Sequence, residues 1–396
     1  SLFIKDSDRS VRKNAFLQMH NSYGAFRDTF TETIQGEVLK NVRLAKLRGF
    51  SSAKEASLFS SRVPSVVYDN LIQTVHEKMD VIHRYFALKK RVSKLEDYAL
   101  YDTYLNLVDK KSTNYSYEDA KKIVLDVVKV FGEDYANIVQ KAFNERWIDI
   151  YPNKGKRGGA YSSGSYDTAP YILLNYLGDY QDVSTLIHEL GHSMHSYYSN
   201  KNNLAQYSSY KIFVAEVAST VNELLFNYYM LEHSKTKEEK MQILSDMMDG
   251  MKATLYRQTM FSEFESFMHE KVEQEQVLTS EMLCEKYYQL NQEYFGDAVA
   301  ITNEIRYEWM RIPHFYYNFY VYQYATGLAA ACEIVRKIRS QEPGAIEGYL
   351  KFLASGDSMD PIDELLLAGV DMRKKEVIEN ATKMFESWID EFESLM

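Results

Sequence analysis

The chain has 396 residues, 45% of them apolar, which is enough for one large domain or two to three ordinary ones around a sizeable core. A net charge of −10 argues against nucleic acid or an anionic membrane as a partner, and no apolar run approaches the roughly 20 residues of a membrane-spanning helix. Cys284 and Cys332 stand alone, without zinc or redox spacing, so a disulfide-free cytoplasmic protein is expected.

The N-terminus, Ser1-Leu2-Phe3-Ile4-Lys5-Asp6-Ser7-Asp8-Arg9, has neither Met nor a signal-peptide core, which suggests a fragment or a processed product. With six prolines in the whole chain, helical patterns dominate. Residues 8–145 read as successive amphipathic helices, so 1–145 forms a helical lobe. Its loops are marked by Gly49-Phe50-Ser51-Ser52, by Lys111-Ser112-Thr113-Asn114 and by Gly132, and residues 114–118 have the character of a helix start. Charges of both signs mark solvated outer faces. The pattern changes over 146–176. Arg146-Trp147-Ile148-Asp149-Ile150-Tyr151 alternates like a strand, and Tyr171-Ile172-Leu173-Leu174-Asn175-Tyr176 is a second strand candidate. Between them lie Gly155, Gly158 and Gly159, then Ala160 and Tyr161. Part of this stretch is a flexible hairpin. It also predicts an edge strand of little bulk to which an extended peptide can add by backbone hydrogen bonds. Residues 177–396 are helical again and complete a single domain of mainly α class, with the small sheet placed just before the next helix.

That helix carries His188-Glu189-Leu190-Gly191-His192, an H-E-x-x-H pentad. Residues i and i+4 share a helical face, so both imidazoles can reach one metal ion while Glu189 points at its open side. Two neutral nitrogen ligands and a carboxylate able to accept a proton from water are what a zinc hydrolase requires. The bland alternative is a helix with two surface histidines. Against it, Val183, Leu186 and Ile187 predict a buried face, and Gly191 inside a helix costs about 1 kcal/mol unless packing requires it.

A third ligand is needed. In the three-histidine class, position 195 is glycine and position 198 histidine; this chain has His195 and Tyr198, which counts against that class. Glu216 is the better candidate. It lies in Ile212-Phe213-Val214-Ala215-Glu216-Val217-Ala218-Ser219-Thr220, a stretch that continues to Leu225 as one helix without Gly or Pro and predicts a buried carboxylate. Residues 199–203 supply a loop before it. Glu223, seven residues on and on the same face, is the rival, and the sequence does not separate the two. Further on, Ile312-Pro313-His314-Phe315-Tyr316-Tyr317-Asn318-Phe319-Tyr320-Val321-Tyr322-Gln323-Tyr324 packs five tyrosines and a histidine into thirteen residues. Tyr317, Tyr320 and Tyr324 are expected on one helical face. Most of these aromatics read as core; a phenol that is not is a neutral donor suited to an oxyanion.

At these residues the chain resembles the M3 family of zinc oligopeptidases, and within it the oligoendopeptidase F members. The resemblance rests on Arg157-Gly158-Gly159-Ala160-Tyr161, Tyr171-Ile172-Leu173-Leu174-Asn175-Tyr176, Thr185-Leu186-Ile187-His188-Glu189-Leu190-Gly191-His192-Ser193-Met194-His195 and Glu216-Val217-Ala218-Ser219-Thr220. It extends to His314-Phe315-Tyr316, Tyr320-Val321-Tyr322-Gln323-Tyr324-Ala325-Thr326-Gly327, Glu364-Leu365-Leu366 and Ala368-Gly369-Val370-Asp371-Met372. It implies a helical, bowl-like zincin fold with a deep channel admitting short unstructured peptides. It assigns His188, His192 and Glu216 to one zinc ion per chain, Glu189 as general base, and His314 with tyrosines of 317, 320 and 324 near the transition state. Gly158, Gly159, Ala160 and Tyr161 are the substrate-binding candidates. Family members run longer at the N-terminus, and an absent helical region there would leave one channel wall incomplete. The expected activity is hydrolysis of short peptides by a zinc-activated water. The alternatives are a zinc hydrolase of a non-peptide amide, and a helical peptide-binding scaffold or inactive fragment.

Overall fold

A computed structural model describes residues 2–108 and 113–396, so Ser1 and, of the loop expected around 111–114, Lys111 and Ser112 lie outside the described residues. About 70% of the chain is helical, and one small three-stranded sheet accompanies the helices. Helix starts follow local chemistry. Asp8 accepts hydrogen bonds from the N–H groups of Ser10 and Val11 to open Arg9–Gly24. Ser52 accepts from Glu55 to open Ala53–Ser60, and Ser116 from Asp119 to open Tyr117–Val128, the start expected over 114–118. No helix among the described residues is long and apolar enough to cross a membrane.

The chain divides into two compact units, each assembled from stretches distant in sequence. The first comprises Ser1–Asp109, Leu244–Ala325 and Thr382–Met396. Its helices Arg27–Leu47, Arg257–Glu273 and Ser280–Phe295 enclose an aromatic core in which Phe264 lies 5.1 Å from Tyr287 and 5.2 Å from Phe315, centroid to centroid. A π-helical turn, Lys252–Tyr256, leads directly into Arg257–Glu273.

The second unit comprises Lys110–Ile243 and Thr326–Ala381. Its sheet has the order β1-β3-β2, with β1 at Ile148–Asp149, β2 at Tyr161–Ser163 and β3 at Tyr171–Leu173. β1 runs parallel to β3 with Ile148 opposite Ile172, and β2 runs antiparallel to it with Ser162 opposite Ile172. The strands are shorter than their alternation predicts. Arg146, in the left-handed region at φ 62°, turns the chain just before β1. Immediately after the sheet comes the pentad helix, Tyr180–Asn202.

Three expectations are corrected. The polar run 199–203 is not an interhelical loop: the helix continues to Asn202, whose amide donates back to the Tyr198 carbonyl at 2.7 Å, so these side chains close the last turn on itself. The stretch from 212 to 225 is not one helix: Ile212–Ala215 ends at Glu216, which sits at φ −87°, ψ −2° before Val217–His233 begins. Nor do Tyr317, Tyr320 and Tyr324 share a helical face. Pro313–Tyr316 is a 3-10 turn, Asn318 and Phe319 are left-handed at φ 44° and 56°, and the helix starts only at Tyr322. Side chains hold that turn: the Phe319 N–H donates to the buried Glu265 carboxylate at 2.6 Å, and the Ser57 hydroxyl donates to the Asn318 carbonyl at 2.7 Å.

Candidate metal centre

The pentad helix is opened by a capping box, in which Asp179 accepts from the Asp182 N–H while Asp182 accepts from the N–H groups of Leu177, Gly178 and Asp179. Val183, Leu186 and Ile187 are fully buried, and they turn His188 and His192 to the half-buried side of the helix. Gly191 explains how a second helix comes so near. A Cβ built there would meet the Ser219 Cα at 2.6 Å and the Ala218 carbonyl oxygen at 2.7 Å. Only a residue without a side chain lets Val217–His233 lie at this distance. The Asn222 amide fixes the contact by donating to the Ile187 carbonyl at 3.2 Å.

This packing brings Glu216 to the two histidines. The Nε2 atoms of His188 and His192 are 3.2 Å apart, and Glu216 Oε2 stands 3.5 Å from the first and 3.4 Å from the second. Donors held at about 2.0–2.1 Å around a tetrahedral zinc ion are separated by about 3.3–3.4 Å, so the triangle has the right size. Two imidazoles and one carboxylate also match a catalytic zinc donor set with a coordination position left over. The group fits a zinc ion. Glu216 is less buried than its apolar neighbours suggest, with its side chain 45% exposed, because the helix break at 216 lifts it out of the apolar face.

Glu223 has a different place. Its Oε2 lies 3.3 Å from the other ring nitrogen of His188, Nδ1, and the Ser184 hydroxyl donates to its Oε1 at 3.4 Å. A carboxylate behind a ligating imidazole fixes tautomer and orientation. The two glutamates on one face thus divide between the ion-facing and the rear side of His188. Burial disfavours charge on His188, but its hydrogen bond to Glu223 and the charges of Glu223, Glu216 and Glu189 outweigh it and raise the pKa to about 9. Burial also works against ionisation of Glu216, yet the His192 hydrogen bond, both imidazoles and Ser219 bring it down to about 2.

Glu189 is 6% exposed, and its Oε2 has no hydrogen-bond partner among the described residues. Burial raises its pKa above the ordinary carboxylate value, against the lowering effect of the two histidines and of the Ser162 N–H. That N–H belongs to β2, which pairs on one side only and is tied to the pentad helix by a 2.8 Å hydroxyl contact between Ser162 and Ser193. Of the candidates on this edge, Tyr161 lies in β2, while exposed Gly158 and Gly159 form the bend before it and Ala160 joins them. His195 is packed inside, stacked on Tyr210 at 3.7 Å, and burial lowers its pKa to about 3.

The remaining candidates belong to the first unit. His314, Tyr317, Tyr320 and Tyr324 form a ring cluster, with centroids of His314 and Tyr324 5.9 Å apart and those of Tyr320 and Tyr324 5.3 Å apart. Tyr317 is 57% exposed, and the other three are half-buried. Phe315, Phe319 and Tyr322 are the aromatics of this segment that enter the core. The sequence reading missed Glu265, and no periodic signal near residue 265 points to a turn more than 50 residues away. A second group with metal-ligand geometry, His76, Glu263 and Glu293, has the Lys286 ammonium 3.3 Å from Glu263, an internal cation that competes with any other.

The sequence profile of peptidase family M3 matches residues 2–384. Oligopeptidase PepF of Bacillus subtilis (strain 168) is 45% identical over 394 residues, which are 100% of this chain and 59% of that protein. Among solved structures, a Chlamydophila abortus chain superposes with a TM-score of 0.95 at 40% identity, covering 100% of this chain and 66% of that one. Oligoendopeptidase-F from Enterococcus faecium gives a TM-score of 0.81 at 36% identity, covering 100% and 65%. The chain spans 59–65% of the length of the first curated relatives it matches.

Proposed function

The chain belongs to peptidase family M3, and we propose that it carries the catalytic centre of a zinc metallo-oligopeptidase that hydrolyses short, unstructured peptides. M3 is a metallopeptidase family, and several relatives bear the name oligopeptidase or oligoendopeptidase. The observation that carries the reading is the triangle of His188, His192 and Glu216 donors, 3.2–3.5 Å on its edges, beside an unpartnered carboxylate oxygen of Glu189.

His188, His192 and Glu216 hold one zinc ion per chain, with Glu223 orienting His188 from behind. When bound, zinc lowers the pKa of a water toward about 7 and polarises a carbonyl. Glu189 accepts a proton at its free Oε2 and delivers it to the leaving amine; its raised pKa suits both transfers. Gly158, Gly159, Ala160 and Tyr161 lead into an edge strand that takes an extended peptide by backbone hydrogen bonds. The proposal therefore excludes folded chains as substrates, since they present no free extended strand to this edge. On the family resemblance and their chemistry, His314 and one tyrosine among Tyr317, Tyr320 and Tyr324 are the proposed hydrogen-bond donors to the oxyanion. A cytoplasmic setting belongs to the same proposal and draws on two free, buried cysteines.

Glu189→Gln tests the assignment with quenched fluorescent peptides as substrates. The variant should keep one zinc per chain and lose about 10²–10⁴-fold in turnover. Turnover within a few-fold of the parent, with zinc retained, removes Glu189 from the chemistry. Cleavage of a non-peptide amide without cleavage of any peptide would transfer the site to another hydrolase class.

A further inference from the structure

The first unit contains a cavity of about 510 Å³, within the range of small-molecule sites. Its interior is apolar and aromatic, with Phe16, Phe86 and Phe261 among its walls. Four cationic residues also line it, Lys5, Lys252, Arg257 and Arg311, and no carboxylate is among its lining residues. That is the reverse of the chain as a whole, where 56 acidic residues outnumber 46 basic ones.

The carboxylates that neutralise these cations stand behind the wall and are shared. Buried Glu308 accepts from Arg257 at 2.8 Å and from Arg311 at 2.5 Å, so one negative charge serves two guanidinium groups; the Tyr287 hydroxyl donates to it as well, at 2.7 Å. Asp249 likewise accepts from Lys252 at 2.8 Å and from Lys89 at 3.0 Å. The arrangement leaves positive charge facing the cavity. The Nε of Arg311 is buried and has no partner among the described residues. The π-helical turn Lys252–Tyr256 places Lys252, Ala253 and Tyr256 on the wall, and such turns recur at functional sites. In a space partly shielded from water, each cation attracts an anion more strongly than it would on the surface.

We propose that this cavity binds a small monoanion whose carboxylate is carried on an apolar or aromatic group. The carboxylate meets the excess charge of Lys252, Arg257 and Arg311, and the apolar part fills the aromatic interior. The same chemistry occurs in the C-terminal residue of a peptide and in a free aromatic or aliphatic acid. His314, which clusters with Tyr317, Tyr320 and Tyr324, also lines the cavity; binding there needs none of the three metal donors, His188, His192 and Glu216.

Calorimetric titration of the 396-residue chain tests it, with zinc-loaded protein and with excess chelator, so that a carboxylate bound to the metal is recognised by its loss in chelator. Four probes are compared: 3-phenylpropionate, 3-phenylpropionamide, N-acetylphenylalanine and its amide. Both acids should bind in chelator as well as without it, each about tenfold or more tighter than its amide, since a hydrogen bond to a charged group is at stake. Ala253→Phe should abolish the binding by filling the space. Lys252→Met, which leaves Asp249 paired with Lys89, should weaken it several-fold and flatten its salt dependence. A preference for N-acetylphenylalanine identifies a peptide terminus as the natural occupant; equal or better binding of 3-phenylpropionate identifies a free acid. The proposal is overturned if the amides bind as well as the acids, if neither acid binds in chelator, or if both variants bind like the parent.

Discussion

Gly191→Ala should cost the protein both stability and metal. By helix propensity alone the change is favourable by about 1 kcal/mol. The structure reverses that sign. The new Cβ would stand 2.6 Å from the Ser219 Cα, 2.7 Å from the Ala218 oxygen and 2.8 Å from the Ser219 nitrogen, all backbone atoms of the facing helix. No flexible side chain is there to yield. Restoring ordinary contact at 3.4 Å requires the helices to part by about 0.8 Å. Overpacking of this kind costs about 1–3 kcal/mol, and several simultaneous backbone contacts put it at the upper end. We therefore expect a net loss of about 1–2 kcal/mol after the propensity gain. The displacement reaches the donors, because the Ser219 hydroxyl donates to both the Glu216 carbonyl and its Oε2 at 3.0 Å. Metal–ligand distances tolerate about 0.2 Å, so zinc affinity should fall about tenfold or more. Urea unfolding measures the first effect, and competition with a chelator of known affinity the second. A variant as stable as the parent that holds zinc within about twofold of it would refute the close-approach argument.

Other outcomes follow from the same geometry. Glu216→Ala should lose most of the bound zinc, whereas Glu223→Ala should lower affinity only about 10–100-fold, the usual cost of a partner behind a ligating imidazole; the reverse ranking exchanges their roles. His188, raised to about 9 from 6.5, stabilises the metal-free fold fully below pH 6.5, and that stability is lost as pH rises through 9. Zinc competes with the same proton, so its apparent affinity in chelator competition should climb with pH and level off above about 9. Glu265 is raised by burial from 4.5 to about 8, so its contribution is greatest below pH 4.5 and is lost as pH rises through 8. Glu265→Gln keeps an acceptor for the Phe319 N–H and should gain stability relative to the parent between those values; a pH-independent difference would deny the buried acid its titration.

The parts legible in the sequence are those set by one helix at a time. The pentad places two imidazoles on one face by i, i+4 spacing, and Gly191 announces a close approach because its local cost demands a reason. Glu216 and Glu223 were recognisable as a pair but not separable, since seven residues return to the same face. What divides them is the break at 216, which no Gly or Pro marks. The tyrosine segment shows the opposite failure. Its spacing imitates a helix, and its rings do gather around His314, yet the turn that gathers them is held by Glu265 and Ser57, which are far away in sequence. The cationic cavity lies furthest from any local reading. Residues 5, 252, 257 and 311 each look like ordinary solvated charges, and a net charge of −10 hides them completely. Periodicity reports which face of an element is apolar; it carries nothing about which distant carboxylate will be shared between two cations, and in this chain that sharing decides where positive charge is left exposed to a ligand.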